Sequence, residues 1–164
     1  MYSEVRVGTT FKLYFKAAEY CSSKPQKLLD EQSHATEGNA SILIVEDEEE
    51  VMRILSRTLR DAGYAVTTAA SGDEAFEVFK TFGPFDLLLT DVVMPGELLG
   101  PALAKAVRQI DPELPCIFLS GYASEATVHS NGLRPSDIRL MKPVSRTDLL
   151  HAVSKAISKT HITG

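Results

Sequence analysis

From Ser41 onward, two kinds of hydrophobic pattern alternate along the chain. One is a short, continuous apolar run, and the other spaces apolar residues three and four positions apart, as on one face of a helix. The apolar runs predict strands at 41–46, 64–70, 85–91, 114–120 and 137–143. The spaced patterns predict helices at 48–63, 71–83, 100–110, 123–132 and 145–159. Strand and helix therefore alternate five times.

This alternation predicts an α/β fold with a doubly wound, parallel sheet. Strand–helix repeats place successive strands in parallel and cover both faces of the sheet with helices. Strands that are buried on both faces should be continuously apolar, and the segment "FDLLLTD" at 85–91 has this character. In such sheets, ligands bind beyond the carboxyl ends of the strands. The residues that end the strands are therefore the candidates for function.

Charged and hydroxyl side chains end four of the five predicted strands. The first strand ends in Glu46 and Asp47, the third in Asp91, the fourth in Ser120 and the fifth in Lys142. Three carboxylates at one sheet edge repel one another unless a cation compensates them, and an all-oxygen cluster suits Mg²⁺. A lysine and a hydroxyl nearby suit a phosphoryl group, with Asp91 as the nucleophile that forms an aspartyl phosphate. The strand ends therefore predict metal-assisted phosphoryl transfer.

These segments resemble the receiver domain of two-component response regulators. The resemblance is carried by "ILIVEDEEEVMRILSRTLRDAGYAV", "DLLLTDVVMPG", "IFLSGYA" and "MKPV", in this order across residues 41–160. It implies a flavodoxin-like, five-stranded sheet with strand order 2-1-3-4-5 and a cytoplasmic location. It also implies a phosphorelay role, with a histidine kinase or a histidine phosphotransferase as partner. The variants "SGYA" and "MPGELLGPAL" look most like receivers attached to hybrid sensor histidine kinases.

The resemblance also implies a role for each residue of the metal site. Asp91 would be the phosphoacceptor and a Mg²⁺ ligand. Asp47 would bind the ion directly, and Glu46 would act through a water molecule. The backbone carbonyl of Val93 would complete the ligands that the protein supplies.

A second group of residues would respond to the phosphoryl group. The resemblance implies that the Ser120 hydroxyl moves toward it, that Lys142 pairs with it, and that the peptide bond before Pro143 is cis. Arg139 stands where the family often has tyrosine or phenylalanine, which puts the family's aromatic switch in question here. Tyr122 is the candidate to replace that aromatic side chain or to control access of water.

The first forty residues differ from the rest in charge and in pattern. Acidic and basic residues balance there, so the net charge of −5 comes from the remainder of the chain. The segment "YSEVRVGTTFKLYF" at 2–15 predicts a turn at "VGTT" followed by a strand. It resembles the last strands of the ATP-binding domain of histidine kinases, with Arg6 where a glycine is usual.

We therefore expect three parts: a remnant of that ATP-binding domain at 1–16, a linker at 17–40 and the receiver at 41–160. The polar composition of 17–40 is typical of a linker. The remnant carries apolar residues on one face, which favours docking on the receiver or self-association with a second chain.

Other classes of function fit the sequence less well. The acidic net charge does not favour nucleic-acid binding, and no apolar run is long enough for a membrane span, so no membrane contact is expected. A phosphatase of the haloacid-dehalogenase type needs an acid two residues after its nucleophile, where Val93 stands. A dinucleotide site needs a Gly-x-Gly-x-x-Gly segment after the first strand, and none is present. A phosphorylation-independent pseudo-receiver stays as the alternative, and the chain is not expected to be a conventional enzyme by itself.

Overall fold

The computed structural model describes residues 2–4, 8–10, 40–121 and 133–160, and the chain divides into two compact units, 1–36 and 37–164. In the first unit, strand β1 (Tyr2–Glu4) pairs antiparallel with strand β2 (Gly8–Thr10). The predicted turn at "VGTT" is wrong for Gly8–Thr10, because these residues form a strand themselves, as the β-branched side chains of its two threonines favour. The strand predicted at 11–15 lies outside the described residues.

A five-stranded parallel sheet forms the centre of the second unit. Its strands are β3 (Ser41–Val45), β4 (Ala65–Ala69), β5 (Leu87–Asp91), β6 (Cys116–Ser120) and β7 (Ile138–Met141). Their order across the sheet is β4-β3-β5-β6-β7. Counted within this sheet alone, the order is 2-1-3-4-5, which confirms the predicted fold.

Four of the five predicted helices lie within the described residues. They are α1 (Glu49–Asp61), α2 (Gly72–Phe82), α3 (Gly100–Val107) and α4 (Arg146–Thr160). The helix predicted at 123–132 lies outside the described residues. Within the part of the chain that the structure describes, none of the helices combines the length and apolar composition that crossing a membrane requires.

The two faces of the sheet carry separate hydrophobic cores. Alternating strand residues point to opposite faces, so that Leu43 belongs to the core under α2 and α3, whereas Ile44 belongs to the core under α1 and α4. The spacing of Ile54 from Leu55 and Leu59 favours the buried face of α1, but Ile54 is 62% exposed. Ser56, by contrast, is buried on this helix.

A buried ion pair joins the end of α3 to the start of β7, at the sheet end opposite the carboxyl ends of the strands. The guanidinium of Arg108 binds both carboxylate oxygens of Asp137, with Nη1 at 3.1 Å from Oδ2. The two side chains are 5% and 2% exposed. Arg108 Nε also donates to the carbonyl of Leu114, which precedes β6, at 3.3 Å. The pair therefore ties together the segments that lead into two adjacent strands.

Cys116 is a free, buried thiol. Burial raises the pKa of this thiol to about 12, which makes it unreactive at neutral pH. Cys21 lies outside the described residues.

Candidate functional site

Three carboxylates meet beyond the carboxyl ends of two adjacent strands. Glu46 and Asp47 directly follow β3, and Asp91 is the last residue of β5. The strands run in parallel with Val45 opposite Thr90, so their ends lie side by side. One oxygen atom from each carboxylate lies within 4.8 Å of the others.

This donor set fits a magnesium ion. Oxygen ligands at about 2.1 Å from Mg²⁺ in octahedral geometry are about 3 to 4 Å from one another. Small side-chain shifts would bring the three oxygens to these separations. Asp47 is free to make such a shift because its side chain is exposed, whereas Glu46 is 2% and Asp91 9% exposed. The site is thus closed on the protein side and open to solvent at Asp47.

Lys142 neutralises part of this negative charge. The residue follows β7, and its Nζ donates to Glu46 Oε2 at 2.7 Å and to Asp91 Oδ2 at 2.5 Å. Burial alone would lower the pKa of this ammonium group, but the hydrogen bonds to Asp91 and Glu46 outweigh burial and raise it. The ammonium group therefore stays charged, and its charge lies between two of the carboxylates.

Burial disfavours the charged form of the Glu46 carboxylate. Desolvation raises its pKa above the ordinary value, and the hydrogen bond and charge of Lys142 only partly counter this effect. The backbone N–H of Glu48 also donates to Glu46, at 3.4 Å. Glu46 therefore depends on Lys142 for its compensation at neutral pH.

The carboxylate of Asp91 has a donor on each oxygen atom. Lys142 occupies Oδ2, and the backbone N–H of Val93 donates to Oδ1 at 3.1 Å. Helix α3 begins directly against this strand end: a Cβ atom added at Gly100 would lie 2.0 Å from the carbonyl oxygen of Asp91. Only glycine fits at this position without a shift of the backbone. The orientation of Asp91 is therefore fixed from three sides.

Ser120 ends β6, between the strands that carry Asp91 and Lys142. Its hydroxyl donates to the carbonyl of Leu140 at 3.5 Å, and its carbonyl accepts from the Lys142 N–H at 2.8 Å. The peptide bond between Lys142 and Pro143 is cis, as predicted. The structure thus places Ser120 at the same sheet edge as the acidic cluster.

The structure describes one of the two residues considered for the aromatic switch. Arg139 lies on β7 with an exposed side chain. Tyr122 lies outside the described residues, so its suggested role stays a prediction.

Sequence reasoning missed two contacts of the loop that follows Asp91. The N–H of Val93 donates to Asp91, and the carboxylate of Asp73 accepts from the N–H of Glu97 at 3.1 Å. Both contacts involve backbone N–H groups, which carry no signal in the sequence, and the second joins residues from separate elements.

The strand order of the sheet, together with the acids, the hydroxyl and the lysine at the carboxyl ends of its strands, defines the class of protein. The sequence profile described as the response regulator receiver domain matches residues 42–154. The chain therefore belongs to the family of response regulator receiver domains.

Individual relatives agree with this assignment. The chain is 38% identical over 117 residues to the response regulator receiver protein CpdR of Brucella abortus, an alignment that covers 71% of this chain and 95% of CpdR. A crystal structure of a response regulator receiver protein from Sinorhizobium medicae has a TM-score of 0.68 and 34% identity, and the match covers 74% of this chain and 96% of that one.

A third relative matches a longer part of the chain. The sensor kinase CckA of Brucella abortus is 36% identical over 167 residues, which covers 96% of this chain. The chain spans only 17% of the length of CckA. Because the alignment covers nearly the whole chain, it includes most of the segment before residue 42, which the receiver profile does not match.

Proposed function

We propose that this chain accepts a phosphoryl group on Asp91 from a phosphohistidine of a histidine kinase or a histidine phosphotransferase, with Mg²⁺ as cofactor. The observation that carries the proposal is the carboxylate cluster of Glu46, Asp47 and Asp91, with the Lys142 ammonium group bound to two of its members. Membership of the receiver family supports it.

Three side chains and one backbone group would hold the metal. Asp47 and Asp91 would bind Mg²⁺ directly, Glu46 would bind through a water molecule, and the carbonyl of Val93 would complete the set. When bound, Mg²⁺ supplies positive charge for the oxygens of the transferring phosphoryl group. The buried position of Glu46 keeps one side of the cluster closed to solvent.

Asp91 supplies the nucleophile. One of its carboxylate oxygens forms a bond to phosphorus as the bond between phosphorus and the imidazole nitrogen of the donor breaks. The donor histidine leaves as neutral imidazole when its other ring nitrogen already carries a proton, or when its leaving nitrogen takes up a proton as the bond breaks. Val93 N–H holds the other carboxylate oxygen and so fixes the direction of attack.

Lys142 and Ser120 act on the phosphoryl oxygens. The Lys142 ammonium group, already bound to Asp91, needs little movement to pair with an oxygen atom of the new phosphoryl group. The Ser120 hydroxyl has only a long hydrogen bond to Leu140 to give up before it donates to a second oxygen atom. This movement would carry the phosphorylation state from the site to the segment after β6.

We also propose that the chain corresponds to the receiver end of a hybrid sensor kinase that works in the cytoplasm. The alignment with CckA over 96% of the chain supports this reading. On this proposal, 1–16 belongs to the kinase's ATP-binding domain, 17–40 is a linker and 41–160 is the receiver.

Replacing Asp47 with asparagine is expected to slow phosphorylation by about tenfold or more, because a charged metal ligand is lost. The measurement is the amount of phosphorylated chain formed from phosphoramidate, a nitrogen–phosphorus donor, with Mg²⁺ or with a chelator. Glu49→Gln is the control, since Glu49 lies on the exposed first turn of α1 outside the cluster.

Higher Mg²⁺ concentrations should recover part of the rate of Asp47→Asn. If the native chain is not phosphorylated with Mg²⁺ present, the proposal fails and a phosphorylation-independent binding module becomes the better account. Equal rates for Asp47→Asn and Glu49→Gln would remove Asp47 from the metal site.

A further inference from the structure

We infer that Asp73 on α2 is a positioning residue for the loop that carries the proposed metal ligand Val93, and that it thereby sets the affinity of the site for Mg²⁺. The inference rests on the proposed function of the site. It adds a residue that lies on a different element from every residue placed in the site above.

The loop between β5 and α3, residues 92–99, is here called the site loop. Its first half is held by the hydrophobic core, because the side chains of Val92 and Met94 are 1% and 4% exposed and belong to the cluster under α2 and α3. Between them, the side chain of Val93 points to solvent, while its N–H binds Asp91. The core thus anchors the side chains of Val92 and Met94, whereas the exposed side chain of Val93 adds no such anchor.

The second half of the site loop is held by the first turn of α2. Asp73 Oδ2 accepts a hydrogen bond from the N–H of Glu97 at 3.1 Å. A Cβ atom added at Gly72 would lie 1.8 Å from the carbonyl oxygen of Leu98, so the loop backbone packs directly on the helix. Two consecutive helix residues therefore contact two consecutive loop residues.

Gly96 makes the approach to Asp73 possible. Its φ angle is +116°, a conformation that favours glycine, and a Cβ atom there would lie 2.7 Å from Asp73 Oδ2. The loop turns at Gly96 and presents the next N–H group to the carboxylate. The sequence of the loop is thus matched to an acceptor at position 73.

The hydrophobic core holds the first half of the site loop, which contains Val93, and Asp73 holds the second half. Without the carboxylate of Asp73, the N–H of Glu97 loses its partner, and the second half of the loop loses its hydrogen bond to α2. The backbone of Val93 would then occupy a wider range of positions. A metal ligand that is held less firmly binds its ion more weakly, since binding must order it.

The chain contains a matched control beside Asp73. Glu74 is also an acid in the first turn of α2, but its carboxylate accepts from the N–H of Ala70 at 2.8 Å, and its own N–H donates to the Ser71 hydroxyl at 3.2 Å. Loss of either acid removes one negative charge and one backbone contact near the start of the helix. Of these two acids, Asp73 is the one that accepts a hydrogen bond from the site loop.

The experiment compares Asp73→Ala, Asp73→Asn and Glu74→Ala in the full chain. Mg²⁺ affinity is measured by titration, and hydrogen exchange of the Val93 N–H is measured by NMR without metal. Asp73→Ala is expected to weaken Mg²⁺ binding by about three- to tenfold, the effect of losing one hydrogen bond that orders the loop, and to speed exchange at Val93. Asp73→Asn keeps an acceptor oxygen and should stay within about twofold of the native chain, as should Glu74→Ala.

Two results would overturn the inference: unchanged exchange at Val93 in Asp73→Ala, or equal effects of Asp73→Ala and Glu74→Ala on both measurements. The exchange measurement separates this inference from the proposed function. If the native chain binds no Mg²⁺ but Asp73→Ala alone speeds exchange at Val93, the positioning role holds and the proposed metal site fails.

Discussion

Replacing Lys142 with methionine is expected to lower the free energy of unfolding by about 2 kcal/mol in the absence of Mg²⁺ and to slow phosphorylation of Asp91 by about 100-fold. Glu46, which is 2% exposed, loses the cation that compensates its charge. The loss is smaller than the about 3 to 5 kcal/mol typical of a fully buried pair, because the lysine side chain is 23% exposed. Phosphorylation slows because one donor to the phosphoryl oxygens is missing.

Mg²⁺ should stabilise the Lys142→Met chain more than it stabilises the native chain. In the native chain, the ammonium group binds the carboxylates of Glu46 and Asp91 and would compete with a metal ion bound at the proposed site. An ion whose free concentration is 100 times its dissociation constant adds about 2.7 kcal/mol to the free energy of unfolding. At the same concentration, an ion that binds more tightly adds more. Urea unfolding with and without Mg²⁺ measures the difference.

Lys105→Met is the control for this experiment, since Lys105 is exposed on α3 away from the cluster. Its free energy of unfolding should change by no more than about 0.5 kcal/mol. A Lys142→Met chain that is as stable as the native one without Mg²⁺, or that binds Mg²⁺ less tightly, would contradict the role given to Lys142.

Replacing Asp137 with alanine is expected to lower the free energy of unfolding by about 3 to 5 kcal/mol. The guanidinium of Arg108, with a side chain only 5% exposed, would be left without its bidentate partner. The N–H of Arg134 would also lose the Asp137 carboxylate, to which it donates at 2.6 Å. Urea unfolding monitored by circular dichroism measures the change.

Asp61→Ala is the matched control, because Asp61 pairs with Arg57 on the surface of α1, where the side chains are 55% and 84% exposed. Such a pair contributes about 0 to 1 kcal/mol. The double variant Arg108→Met, Asp137→Leu should recover most of the stability that Asp137→Ala loses, because it removes both buried charges together. Equal losses for Asp137→Ala and Asp61→Ala would show that burial does not strengthen the Arg108 pair.

The sheet and the position of the candidate site could be predicted because both depend on local patterns. Continuous apolar runs such as 87–89 mark strands buried on both faces, and the end of such a run marks the edge where side chains meet. Glu46, Asp91 and Lys142 stand at the ends of three different strands, and the parallel sheet brings these ends together. Their proximity follows from strand order without knowledge of any side-chain contact.

Other features escaped prediction because they depend on contacts between distant segments. Helical spacing favours the buried face of α1 for Ile54, but in the structure Ile54 is exposed and Ser56 is buried. Asp73 and Glu97 are 24 positions apart and meet only because α2 packs beside the site loop. The ion pair of Arg108 and Asp137 joins two segments in the same way.

The intact mass of the chain after incubation with acetyl phosphate and Mg²⁺ tests the central proposal most directly. The native chain and Asp91→Asn are compared, with urea unfolding to show that both are folded. We predict that the native chain gains one phosphoryl group, that a chelator prevents the gain, and that Asp91→Asn gains none. A phosphoryl group that persists in Asp91→Asn, or a native chain that gains none, would contradict the assignment of Asp91 as the phosphoacceptor.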